Sequence, residues 1–94
     1  MIVTTTPSVE GRQIISYHGI AVGEEILGYD NLGRSPYGIS YKPMIDKARK
    51  VALGQMQDSA RAMGATAVVG VNLDYRMIKD HVVVLASGTA VTLG

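Results

Sequence analysis

No cysteine, phenylalanine or tryptophan occurs among the 94 residues. Without cysteine the chain can form no disulfide, offer no thiolate to a metal and use no Cys nucleophile. Without phenylalanine or tryptophan the core must be built from Val, Ile, Leu, Met and Ala, with the five tyrosines near its edges. Charge is scarce as well: 18% of residues are Asp, Glu, Lys or Arg, and the net charge is +1. There is no basic stripe of the kind nucleic acid requires, and no acidic tail. So lightly charged a surface points to partial cover by other subunits. The longest apolar runs, "HVVVLA" and "GATAVVGV", fall far short of the ~20 residues of a membrane span. The N-terminus, "MIVTTTPSVEG", has no basic region followed by an apolar run, so it does not read as a signal peptide. These features describe a cytoplasmic protein with neither nucleic acid nor membrane as a partner.

What is present fits one domain over residues 1–94. At this length folding buries only ~60–65% of the surface of the unfolded chain. "MIVTT" reads as a short first strand, ended by Pro7 and the turn at Glu10–Gly11. "RQIISYHGIAVGEEILG" is rich in Ile, Val and Tyr and reads as a long strand bent at Gly19 or Gly23. Ile14, Ser16 and His18 are expected on one face of it. Residues 28–42 form a loop with Gly28, Gly33, Gly38, Pro36 and three tyrosines, Tyr29, Tyr37 and Tyr41. A loop so long is more often functional or subunit-contacting than idle.

Pro43 opens a helix, where its missing N–H costs nothing. Ile45, Ala48, Ala52, Met56, Ser59 and Met63 recur at spacings of three or four, one stripe of a 3.6-residue period, widened by Val51 and Ala60. Gly64 stands where a left-handed residue would stop the helix. Gly54, weakening the helix interior, predicts a close backbone contact there. After Gly64 the period changes to two. Ala67, Val69, Val71, Leu73, Tyr75 and Met77 are expected on one face, with Val68, Gly70, Asn72, Asp74 and Arg76 on the other. "IKDH" turns the chain, and "VVVLASGTAVTL" returns as the last strand, with a bulge expected at Gly88. The class is therefore α+β: a two-layer fold in which one long helix crosses an antiparallel sheet, in the order ββαββ. One helix is ~10 Å wide, whereas four strands at ~4.8 Å spacing make a sheet nearly twice that. The uncovered remainder predicts a homo-oligomer.

The stretches "TTTPSVEGR", "GE" followed by "ILG", "GRS" at Gly33–Ser35, "DKAR", "GATAVVGV" with "DY" at Asp74–Tyr75, and "SGTAV" together resemble the YbjQ-like proteins of bacteria and archaea. Those are small, uncharacterised proteins described as heavy-metal-binding, and the resemblance covers nearly the whole chain. It implies a subunit folded like that of a dodecin, assembled into a homo-oligomeric ring, commonly a pentamer. This chain departs from the family pattern twice. A helical segment usual before "GRS" is reduced to Tyr29–Leu32, and His18 stands where members often carry a Cys.

Candidate sites follow, each with two readings. His18 is a transition-metal ligand in place of that Cys, or simply a strand histidine in a hydrogen bond. Asn72 and Asp74, two residues apart, reach ~7 Å from each other on one strand face. They bind a cation or polar ligand, or form the wet face of the sheet. Asp80 and His81 lie in the hairpin turn, where Asp is ordinary turn chemistry and His81 is a further metal donor or merely exposed. Arg34 and Ser35 hold an anion with neighbouring N–H groups, or contact another subunit. The stretch is not a P-loop. Glu24 and Glu25 are adjacent on a strand and point to opposite faces, so they do not work as an acid–base pair. No activated-serine motif is present. The expected function is non-enzymatic binding of a heavy metal, a divalent transition ion, or of a small polar ligand, by a homo-oligomer. The alternative is a structural ring acting through protein contacts without metal. Flavin, held by some dodecins, would favour a stacking Trp that is missing here.

Overall fold

The computed structural model describes residues 1–27, 42–78 and 81–94. Five elements follow in order: β1 (Ile2–Val3), β2 (Ile14–Leu27), α1 (Lys42–Ala62), β3 (Ala67–Ile78) and β4 (His81–Leu93). The four strands form one sheet in the order β1-β3-β4-β2. β4 is antiparallel to both of its neighbours. The two-residue β1 pairs parallel to β3, Ile2 beside Ala67 and Val3 beside Val68. The sheet is thus mixed rather than purely antiparallel, through its shortest strand alone. The expected ββαββ order and the single helix across the sheet are as observed.

α1 lies on one face, and its buried stripe is Ala48, Ala52, Met56 and Ala60. Pro43 sits in the first turn, where a missing donor is harmless. The C-terminus closes as a Schellman motif: Ala65 N–H donates to the Ala60 carbonyl (3.1 Å) and Gly64 N–H to that of Arg61 (2.9 Å). Gly64 has φ 86°, a conformation that disfavours a Cβ. Helix stop and strand start are therefore one structure, and β3 begins three residues later.

Close approach of α1 to β2 depends on Gly23. A Cβ there would fall on the Ala52 carbonyl and 2.6 Å from Met56 N. Gly54 plays no such part, since a Cβ there meets nothing within 4 Å. The sequence placed the tight contact on the helix; the structure places it on the strand beneath.

Small residues meet small residues in this layer. Ala21, Ala86 and Ala90 of the sheet join the helix alanines, with Met56, Val68 and Val84 as the largest fully buried side chains. A second cluster lies on the other face at one end: Ala67, Val69, Val91 and Leu93, packed by Val9 and Ile14.

β3 changes phase part-way. Val69 pairs with Thr89 and Asn72 with Ser87, so Gly70 and Val71 together oppose Gly88. This is a bulge in β3 with Gly70 at φ 61°, not a bulge at Gly88. Its extra N–H groups are satisfied by the N-terminal segment: Gly70 donates to the Thr6 carbonyl (2.7 Å) and Val71 to that of Thr4 (3.0 Å). Past the bulge the faces exchange. Ala67 and Val69 lie away from the helix, while Val71 and Leu73 pack beneath it with Val68. The uninterrupted alternation expected from Ala67 to Met77 holds on each side of Gly70 but not across it. β2 breaks in the same way, with register shifts between Ile14 and Ser16 and between Tyr17 and Gly19. Ile14 accordingly packs in the second cluster and leaves the face of Ser16 and His18.

Candidate functional site

The shifts in β2 decide where its polar side chains go. His18 is the extra residue between Tyr17, opposite Val91, and Gly19, opposite Ala90. A bulge of this kind re-aims a side chain. His18 Nε2 comes to rest 2.6 Å from Thr92 Oγ1 and 3.5 Å from Ser16 Oγ. Either ring nitrogen state fits this contact, since a hydroxyl both donates and accepts. All three side chains sit at the end of the sheet beyond Gly64, and the imidazole is exposed. Ser16 was legible as a neighbour of His18 from its spacing of two. Thr92, 74 residues away, was not, because only the β2–β4 register brings it there.

The other expected donors do not join this cluster. His81 opens β4, exposed and opposite Ile78. From position 81 to Thr92 the same strand runs ~36 Å at ~3.3 Å per residue, so the two imidazoles lie at opposite ends of one chain. Asp74 is on β3 with both oxygens engaged: Oδ1 accepts from Tyr75 N–H (3.0 Å) and Oδ2 from Arg76 Nε (3.1 Å). Asn72 shares its face, as expected, and is exposed. Arg34, Ser35 and Asp80, with the loop tyrosines Tyr29, Tyr37 and Tyr41, lie outside the described residues.

A transition ion takes three or four converging donors. Among the described residues no three of His, Cys, Asp and Glu come together. One imidazole with two hydroxyls does not fit such an ion, hydroxyls being poor ligands for a borderline-soft metal. A groove of about 370 Å³ opens between α1 and the end of β2, lined by Glu25, Leu27, Met44, Lys47 and Val51 among others. Among the described residues its lining includes none of the expected site residues. Among the described residues no helix is long and apolar enough to cross a membrane.

The sequence of β2, the bulged β3 and the "SGTAV" stretch of β4 belong to one recognisable pattern. A family model described as "Putative heavy-metal-binding", that of the YbjQ proteins, matches residues 1–94. The chain belongs to the YbjQ-like family. A YbjQ-like relative, a UPF0145 protein of Haemophilus ducreyi, is 41% identical over 108 aligned positions covering all of both chains. With 94 residues here, 108 − 94 = 14 of those positions fall opposite gaps in this chain. The fold is also similar to a crystal structure of a protein of unknown function from Pediococcus pentosaceus, of the DUF74 family. The TM-score is 0.76 at 16% identity, covering 100% of this chain and 98% of that one.

Proposed function

We propose that this YbjQ-like chain is a cytoplasmic, non-enzymatic, homo-oligomeric binding protein, a pentameric ring that holds a heavy-metal ion or small polar ligand between its copies. One observation carries the reading. The bulge at His18 delivers an exposed imidazole to the surface, yet among the described residues a single chain supplies too few donors around it. Repetition of His18 around an assembly supplies what one copy lacks. The family description supports a metal as the ligand. Asn72 and Asp74 stand on the opposite face of the sheet and suit a polar ligand rather than an ion, because Asp74 is already neutralised by Arg76.

Elemental analysis of purified protein, followed by Zn²⁺, Cu²⁺ and Ni²⁺ titration, tests this. Wild type is expected to retain a divalent transition metal and to gain thermal stability on titration. His18→Ala should lower metal affinity by ~tenfold or more, the scale of losing a donor's support, with its native mass unchanged. Metal-free protein with no thermal shift for any of the three ions would leave the second reading, a ring that acts through protein contacts alone.

A further inference from the structure

β2 and β3 flank the sheet and run in the same direction, because each is antiparallel to the β4 between them. β1 covers only the start of β3, at Ala67 and Val68. Along both flanks, backbone donors are satisfied by side chains instead of a strand. On β2, Glu24 N–H donates to Gln55 Oε1 (3.2 Å) and Ile26 N–H to Glu25 Oε1 (3.0 Å). On β3, Tyr75 N–H donates to Asp74 Oδ1 (3.0 Å). Such donors mark where a further strand can pair. Ile20 and Val22 share the phase of Glu24 and Ile26 along β2, so their backbone groups point to the same outer edge.

We propose that the outer edge of β2 in one copy pairs in parallel with the outer edge of β3 in the next copy, head to tail, with Glu24 beside the neighbouring copy's Arg76. Charge and register select this occupant. Glu24, Ile26, Arg76 and Ile78 all stand on the face away from α1, since their partners on β4 are Leu85, Val83, Val83 and His81. Extending the sheet in unshifted register would set Glu24 against Asp74, two carboxylates side by side, which is destabilising. A shift of two residues sets Glu24 against Arg76 and Ile26 against Ile78. Ile26 and Ile78 are 51% and 55% exposed in the single chain. Among the described residues Glu24 has no ion pair, so its carboxylate is free for that contact, while Arg76 holds Asp74 through Nε and keeps its other N–H groups for Glu24. A stagger between neighbouring sheets is also what closure into a barrel or ring requires. A head-to-tail contact between unlike edges repeats by rotation and forms a ring where that rotation closes, whereas a twofold β2–β2 contact would leave Arg76 and Ile78 bare. The inference rests on self-assembly as proposed above and is independent of metal binding.

Charge exchange tests it. Glu24→Arg, Arg76→Glu and the double variant are compared with wild type by analytical ultracentrifugation at low salt, with circular dichroism as the check on folding. Wild type is expected to sediment as a multiple of 10.0 kDa. Each single reversal should weaken association by ~tenfold or more, and the double variant should restore it. Ile26→Lys, which keeps both charges, should also dissociate the assembly. An oligomer whose mass none of these variants changes, or a folded double variant that stays dissociated, overturns the proposed pairing while leaving self-assembly standing. A wild type that remains a 10.0 kDa particle overturns both.

Discussion

Gly23 fixes the distance between the two layers. Its missing side chain lets the Ala52–Met56 turn of α1 rest on the β2 backbone, and the atoms it would meet are main-chain atoms that cannot rotate away. Gly23→Ala should cost about 1–3 kcal/mol, the usual range for overpacking, read as a lower urea midpoint with an unchanged slope. His18 is the contrasting case. Its position follows from a bulge that adds a residue to β2, and its hydroxyl partners come from both paired strands. The sequence offered that imidazole either as a metal donor, where members of the family often carry a Cys, or as a strand histidine in a hydrogen bond, and its spacing from Ser16 gave one neighbour. The sequence could not supply Thr92, because no local pattern encodes the register of strands 74 residues apart.

Among the elements, α1 was the most legible. Of the stripe expected from a period of 3.6, Ala48, Ala52, Met56 and the widening Ala60 are buried, while Met63 lies past the end of the helix and is exposed. Its stop at Gly64 follows from the Schellman bonds to Ala60 and Arg61. Gly64→Ala should destabilise the fold by ~1 kcal/mol, the cost of a left-handed Cβ, although nothing within 4 Å obstructs the new atom. Thermal unfolding of that variant separates backbone conformation from packing, because Gly23 fails for the second reason and Gly64 for the first. The strands were legible in extent but not in facing. A period of two identifies a strand wherever it persists, yet a single inserted residue reverses the sides. Gly70 is that residue in β3, and nothing in its neighbours announces it. A lone glycine in a strand signals a bulge, a close approach or neither. Gly23 and Gly70 divide the first two outcomes between them. The sequence reading assigned the bulge to Gly88, which instead lies opposite it and has no room for a side chain beside Val68 and Val71.

At the scale of the whole molecule, the helix covers one face of the sheet and packs chiefly on β2 and β4. Among the described residues the other face is closed only at one end, by the N-terminal segment over Ala67, Val69, Val91 and Leu93. Ile20 and Val22, 71% and 57% exposed, stand on the uncovered part. A chain whose remaining apolar surface is covered by copies of itself is stabilised by mass action. Its melting temperature should therefore rise with protein concentration by several degrees from about 1 to 100 µM, since ~1 kcal/mol shifts Tm by about 4–8 °C for a domain of this size. Differential scanning calorimetry across that range checks it; a melting temperature independent of concentration would mark a self-sufficient monomer. This uncovered face was foreseeable from the widths of a helix and a sheet alone. Which edges meet was not, because it depends on the phase each strand has after its bulges.

Those bulges also govern how the chain can change length. Between strands, residues can be gained or lost at little cost. Within β3 the count is binary. Dropping the residue at 70 would remove the bulge and leave every facing as it is, whereas dropping Asn72 would turn the rest of the strand over, driving the carboxylate of Asp74 and the guanidinium of Arg76 beneath α1 and casting Leu73 out to water. Away from the bulge, drift in that strand must therefore proceed in even steps, or by paired events that cancel.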